Sequence, residues 1–399
     1  AQIEAARLHG TLEQVFITGA SAPTKTIYEG FVGSGTSVGC DPTTQSIFTS
    51  QTGTNVTPGG LGNVLAYACT KGGRTLVAYH SIAGGSLTAY TPHTLNVNIE
   101  RLRHIGQSTS PATLWTNPCT LGPTNYVDTT NANNNATVYK GCAPLTAANA
   151  AAEANGGPNK PHGGFSDVEA ALFPASIGGG DVSTVGVEDS AYVGQVFGVV
   201  VSKPLYRAMQ VKQGIAANTD ALDPNYDVAN APNITSQEYA SIAVQGIGTS
   251  YQTDWSAIAG AAGTGKKVIL ARRVATSGTQ ASSNAFFLRS PCTGTAALSP
   301  AVAGDSSASF EVFEGSGTGN VKTRLTRASD GFESNTGTVL NPNNTFAIGV
   351  VSAENDWRID AAASAGYRFV KVDGVHPEAG ETITPTNGGN ARTTAANDA

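Results

Sequence analysis

Lys266 to Leu288 reads KKVILARRVATSGTQASSNAFFL. A continuous apolar, β-branched run leads to Arg273, the turn residues Thr276, Ser277, Gly278 and Thr279 follow, and then comes a stretch able to form a helix. A short apolar run bounded in this way reads as a strand buried on both faces, the kind found in parallel sheets. Strand, turn and helix in that order gather a guanidinium, several hydroxyls and free backbone N–H groups at a helix start, where the dipole favours negative charge. This is an anion site in outline. A capped helix with a surface arginine fits the same residues equally well.

Runs of the same kind recur on both sides: VFITG at 15–19, TLVAYHS at 75–81, VFGVVVS at 196–202, KVILARRV itself at 267–274, FAIGVVS at 346–352 and RFVKVDGV at 368–375. Helix-like stretches separate them, at 61–72 (LGNVLAYACTKG), 167–177 (DVEAALFPASI), 203–214 (KPLYRAMQVKQG), 236–246 (SQEYASIAVQG) and 355–366. Strands alternating with helices predict an α/β protein with mostly parallel sheets and helices on both faces. Two Asn/Thr/Gly/Ala-rich stretches, 117–164 and 290–340, follow neither period and read as long loop insertions.

Composition narrows the function. The chain has 399 residues with 23 Lys+Arg against 29 Asp+Glu, a net charge of −6, which argues against a nucleic-acid partner. Only 13% of residues are charged, about half of the ordinary share, so Ser, Thr, Asn, Gly and Ala must cover most of the surface. Such surfaces are familiar among secreted and cell-surface proteins. The opening AQIEAARLHG has neither the basic nor the apolar region of a signal peptide, which fits a mature periplasmic or extracellular chain. Five cysteines, at 40, 69, 119, 142 and 292, lie in no metal or haem spacing. Two disulfides and one odd thiol are expected; we favour Cys40 with Cys69 and Cys119 with Cys142, because each pair brackets a Gly/Asn/Thr-rich loop with little else to hold it.

Several motif matches fail on context. GAAGTGKK at 260–267 has Lys267 where a phosphate-binding loop needs Ser or Thr, and it precedes a strand rather than following one. GTSVG at 35–39 has the spacing of a nucleophile elbow but reads as a loop, and Asn233-Ile-Thr235 matters as a glycosylation acceptor only in a eukaryotic secretory context. The histidines at 9, 80, 93, 104, 162 and 376 show no ligand spacing and read as loop or surface residues. With no paired carboxylates, metal ligands or activated nucleophile standing out, neither an enzyme nor a cofactor is expected.

Arg273 followed at four residues by Ser277-Gly278-Thr279 resembles the signature of the type II periplasmic solute-binding proteins, in particular the phosphate-binding component of the bacterial ABC phosphate transporter. Further landmarks fall in that family's order. VFITGASAP at 15–23 looks like its first strand and ligand loop, GGFSDVE at 163–169 like its Gly-Ala-Ser-Asp segment, and VFGVVV like its crossover strand. TDWSAI at 253–258 is similar to its Asp-Trp helix start; AIGVVS and FVKVDGVHP are similar to its late Ile-Gly-Tyr-Val and Leu-Asp-Gly-Val segments. The first ligand loop lacks the usual Thr-Phe-Pro, and a longer interval than in compact members separates SIAGGS at 81–86 from Ser166-Asp167.

The resemblance implies a two-lobed fold with crossover strands and a dehydrated oxyanion, most simply inorganic phosphate, held between lobes and handed to an ABC transporter permease. It divides the chain into an N-terminal arm at 1–10, a first lobe at 11–195, a second at 196–350, and a return segment and tail at 351–399. Carried over by residue, Arg273, Ser277, Gly278 and Thr279 would hold the anion from the second lobe. From the first, Ala20, Ser21 and Ala22 would give N–H and hydroxyl donors, Gly85, Ser86 and Ser166 would line the site, and Asp167 would accept the anion's proton. A different reading is a structural subunit of an extracellular filament, sheath or surface layer. It rests on the low charge and on both ends of the chain, which look too poor in apolar residues to order without self-association.

Overall fold

The computed structural model describes residues 2–33, 36–52, 62–103, 105, 119–125, 136–145, 160–189, 194–215, 228–247, 251–292, 296–330, 345–353, 355, 357, 366–378, 383–386 and 389–392. They form two compact units, Ala1–Glu188 and Asp189–Ala399. The fold is mixed α/β.

In the first unit, helix α1 (Gln2–Leu8) leads into β1 (Leu12–Gly19) and α2 (Thr24–Phe31). There follow β2 (Ser46–Thr49), β3 (Val64–Lys71), β4 (Arg74–Ser81), the short α3 (Thr91–Thr94), β5 (Arg101–Leu102), β6 (Cys119–Asn125), β7 (Thr137–Cys142), β8 (Pro144–Leu145) and β9 (Gly163–Phe165). Seven of these strands make one sheet in the order β6-β7-β2-β3-β4-β1-β9, while β5 pairs with β8. The neighbours β4, β1 and β9 run parallel, whereas β3 is antiparallel to both β2 and β4.

The stretch at 61–72 is therefore not a helix. Leu65, Tyr67 and Cys69 enter one core and Val64, Ala66 and Ala68 the other, which is strand alternation with both faces apolar. The Gly72-Gly73 turn decides the matter: both residues have positive φ, +54° and +75°, the backbone a two-residue hairpin needs. That hairpin is also one reason why the sheets are mixed rather than mostly parallel. The expected helix at 167–177 is likewise two separate 3₁₀ turns, Ala170–Leu172 and Ala175–Ile177.

On one face of the sheet α2 packs Ile27, Tyr28 and Phe31 against Tyr67 and Ala78. On the other, Ile3 of α1 joins Phe48, Val77 and Tyr79. The first ten residues are thus no free arm: Ile3 and Ala6 are buried against their own unit, correcting the expectation that this end could not order itself. Disulfides join Cys40 to Cys69 and Cys119 to Cys142, with Cys292 left as an exposed thiol. The second bridge ties β6 to β7 inside the stretch expected to be a loop, and these two strands extend the sheet beyond β2.

The second unit begins with β10 (Phe197–Ser202), α4 (Lys203–Lys212), β11 (Asn233–Ile234), α5 (Ser236–Ala243), α6 (Ser256–Ala259), β12 (Lys267–Arg273) and α7 (Gly278–Ser283). It continues with β13 (Phe310–Gly315), α8 (Thr318–Asp330), β14 (Thr345–Ser352), β15 (Tyr367–Phe369), β16 (Lys371–Val372), β17 (Ile383–Thr386) and β18 (Gly389–Arg392). The main sheet has the order β13-β12-β14-β10-β15, with β13, β12 and β14 parallel and β10 antiparallel to both its neighbours. Residues 368–375 are not one strand: β15 joins this sheet and β16 pairs with β11. The supposed loop at 290–340 contributes β13 and α8, and the return segment supplies β15 and β16. The expected helix at 355–366 lies almost wholly outside the described residues.

Alternation again sorts the strands. Val268, Leu270, Phe346 and Ile348 face a core with α4, α5 and the fully buried Trp255, whose indole N–H donates to the Lys267 carbonyl at 3.0 Å. Ile269, Ala271 and Ala347 face Val321 and Leu325 of α8. Helix α5 starts with a complete capping box, Thr235 and Glu238 each bonding the other's backbone N–H.

Among the described histidines, two are buried. His376 is buried, and His80 on β4 is only 1% exposed, with its Nδ1 reaching no hydrogen-bond partner among the described residues. Burial pushes the His80 pKa down from 6.5 to about 4. The unfolded chain therefore takes up a proton at this residue between pH 6.5 and about 4 that the folded one refuses, so stability is intact above 6.5 and falls as pH drops. We expect a loss on the order of 3 kcal/mol across that window. Denaturant unfolding at a series of pH values should show a shallower acid loss in His80→Leu than in the wild type; parallel curves would refute this origin.

Candidate functional site

In the first unit the candidate residues lie where the parallel strands β4, β1 and β9 end. The carboxyl ends of parallel neighbours share one edge, so turns from distant parts of the chain collect there. Gly19 closes β1 with φ +119°, and a Cβ at this position would lie 1.9 Å from the Phe165 carbonyl oxygen. Only glycine lets the two backbones come this close. Next to it, the Ala20 N–H donates to that same carbonyl at 2.7 Å.

Gly85, at φ +78°, opens a 3₁₀ turn over Ser86–Ala89, and the buried Ser86 hydroxyl donates to Oδ2 of Asp167 at 2.8 Å. The Ser166 hydroxyl donates to the Val168 carbonyl, which fixes the turn that carries Asp167. Gly85, Ser86, Ser166 and Asp167 are thus brought together from segments 81 residues apart. The loop at 20–22 joins the same edge through Phe165 in a different role from that expected. Ala20 has already given its N–H to Phe165, and Ser21 is exposed with its carbonyl accepting both the N–H and the hydroxyl of Thr24. Thr18 and Thr88, which the sequence did not single out, link β1 to the 3₁₀ turn through their hydroxyls at 3.1 Å.

In the second unit the stretch from Lys266 folds as strand β12, a turn and then α7, which runs on as a π-helical turn over Asn284–Leu288. That connection passes over one face of the sheet, where Leu288 enters the core with Val268 and Leu270. The connection after β13 passes over the other face, where α8 packs Val321 and Leu325. Adjacent parallel strands whose connections part in this way leave a crevice at their carboxyl ends, the usual place for a ligand in an open α/β sheet. Arg273 and Gly315 are register partners at that point.

Arg273 is 5% exposed, and Ser277 and Thr279 are as deeply buried. Its backbone N–H donates to Gln280 Oε1 at 3.1 Å, tying the strand end to α7. The guanidinium bonds the turn that follows the neighbouring strand. Nη1 donates to the Thr318 hydroxyl at 2.8 Å and Nη2 to the Ser316 carbonyl at 3.0 Å. Ser277 takes the N-cap place of α7 without its hydroxyl capping the helix, and its N–H donates to Val274 at 2.9 Å. Reading the sequence missed Ser316-Gly317-Thr318, a second Ser-Gly-Thr that follows the neighbouring strand; repetition of the tripeptide after Gly315 was the available signal.

A buried guanidinium at the ends of parallel strands, bonded to a hydroxyl and a carbonyl of the neighbouring turn, is the kind of charged donor that recognises an oxyanion. Among the described residues no group of three or more His, Cys, Asp or Glu could hold a metal ion, and no helix is long and apolar enough to cross a membrane. The two disulfides fit an oxidising compartment, periplasmic or extracellular. No protein-family model, curated protein or solved structure matches the chain.

The closeness of β1 and β9 at Gly19 is directly testable. Gly19→Ala is expected to destabilise the first unit by about 3 kcal/mol, since the backbone must both strain and retreat. Hydrogen exchange should report the damage as faster exchange at Gly163 to Phe165, and unchanged protection there would contradict the account.

Proposed function

We propose that the chain is a secreted or periplasmic oxyanion-binding protein that holds phosphate through Arg273, Ser277, Gly278 and Thr279 without transforming it. The observation that carries this reading is the buried Arg273 at the carboxyl end of β12, where the connections of β12 and β13 pass to opposite faces of the sheet. The resemblance of its Ser-Gly-Thr spacing to the phosphate-binding component of a transporter supports the choice of anion, and it makes a permease the expected partner. The alternative, a filament, sheath or surface-layer subunit, rests on the low charge and on both ends of the chain. Ile3 and Ala6, buried in the first unit, remove the N-terminal part of its ground; the low charge and the C-terminal tail stay with it.

Calorimetric titration of ligand-stripped protein with phosphate should give one-to-one binding. Arg273→Ala should weaken it by about 3 kcal/mol, roughly 150-fold, because an anion in a dry site loses its charged partner. No heat from the wild type, or equal heat from the variant, would remove this reading.

In the resemblance an aspartate accepts the anion's proton, and Asp167 takes that role here. Within the first unit the Ser86 hydroxyl donates to one of the Asp167 carboxylate oxygens, which holds the acceptor in place. Sulfate has no proton to donate near neutral pH and would face the carboxylate as a like charge. Phosphate should therefore outcompete sulfate in the wild type, and Asp167→Asn should narrow the gap. Equal competition by the two anions in the wild type would show that Asp167 has no such role.

A further inference from the structure

We infer that Thr318 is a positioning residue for Arg273, holding the guanidinium ready before any anion arrives. The inference builds on the phosphate reading above and adds a residue from outside the motif that suggested it. Arginine has many rotamers, and a ligand that must immobilise one loses affinity; a side chain already held avoids that loss. Thr318 Oγ1 receives Nη1 and the Ser316 carbonyl receives Nη2.

The anchor is itself rigid. Asn320 Oδ1 accepts from the Gly317 N–H at 2.9 Å and bonds the Ser316 hydroxyl at 3.2 Å, which closes the turn on the first residues of α8. Gly315 permits that closure, since a Cβ there would lie 2.7 Å from the Asn320 Cβ. Thr318 is the first residue of the 13-residue α8, whose Arg324 is paired with the buried Glu311 of β13. The hydroxyl that receives Nη1 is therefore carried by a helix fixed to the strand next to Arg273. Thr318 does not act on the anion directly; it sets where the charge stands.

The test compares wild type, Thr318→Val, which keeps the shape and loses the hydroxyl, and Thr318→Ser, which keeps the hydroxyl. Nitrogen-15 NMR of the Arg273 side chain, assigned with Arg273→Lys, reads positioning without any ligand. We expect resolved, slowly exchanging guanidinium protons in the wild type, averaged signals in Thr318→Val and recovery in Thr318→Ser. Phosphate titration should follow the same pattern, with affinity about tenfold weaker in Thr318→Val and restored in Thr318→Ser, at nearly unchanged melting temperature. Unchanged Arg273 signals in Thr318→Val overturn the positioning role whatever the ligand does. Released signals with undiminished phosphate affinity overturn it as well. Failure of the wild type to bind phosphate overturns the functional reading instead, and the NMR comparison then decides on its own whether Thr318 positions Arg273.

Discussion

Glu311 is the second residue of β13, with its side chain almost completely withdrawn from water, 1% exposed. A charge in that position is tolerated only when paired, and removing one partner of such a pair typically costs about 3–5 kcal/mol. Arg324 of α8 supplies the pairing and lies over the Phe313 ring, while the Lys267 ammonium on β12 stands 3.5 Å from the second carboxylate oxygen. The pair dictates where α8 lies along β13. From that follows the place of Thr318, then the turn from Gly315, then the direction of the Arg273 guanidinium. One buried ion pair thus decides the geometry of a polar cluster that it never touches.

Both units use their parallel strands in the same way. In the first, β4, β1 and β9 end together and gather Ser86 and Asp167; in the second, β12 and β13 end together and gather Arg273, Ser316 and Thr318. Antiparallel partners such as β3 and β10 widen the sheets and cover the cores, but each brings its opposite end to that edge. Widening and site-building are separate tasks here, assigned to different strands.

This division explains how much could be read from the sequence. The strands at 15–19, 75–81, 196–202, 267–274 and 346–352 were legible because they are apolar on both faces, as central strands must be. The strand at 64–71 has the same composition and was mistaken for a helix, since a fully apolar run carries no period and only the Gly-Gly turn separates the two readings. The strand at 310–315 was hidden by its glutamates: FEVFEG reads as polar until Arg324 is known to neutralise Glu311. Helix α8 hid beside it because only Val321 and Leu325 mark its apolar face. The site followed the same pattern. Arg273 and Ser277–Thr279 were visible as a contiguous motif, whereas Thr318 lies 45 residues away and becomes a partner only through the pairing of β12 with β13.

The long interval between Ser86 and Asp167 has a consequence for how the first unit can change. Having formed the 3₁₀ turn at Ser86, the chain builds β6 and β7 at one margin of the sheet before returning to β9 at the other. Of the described strands in between, β6 and β7 hang on the margin farthest from β9, while β5 packs Arg101 over Phe16 of β1 and Leu102 into the core. Closing a longer loop costs only about 0.6 kcal/mol for each doubling of its length. Ser86 and Asp167 stay registered through β1, which pairs with β4 on one side and β9 on the other, whatever length the detour has. The β6–β7 margin is thus a permissive region, where a lineage could lengthen, shorten or decorate the protein while the carboxylate kept its address.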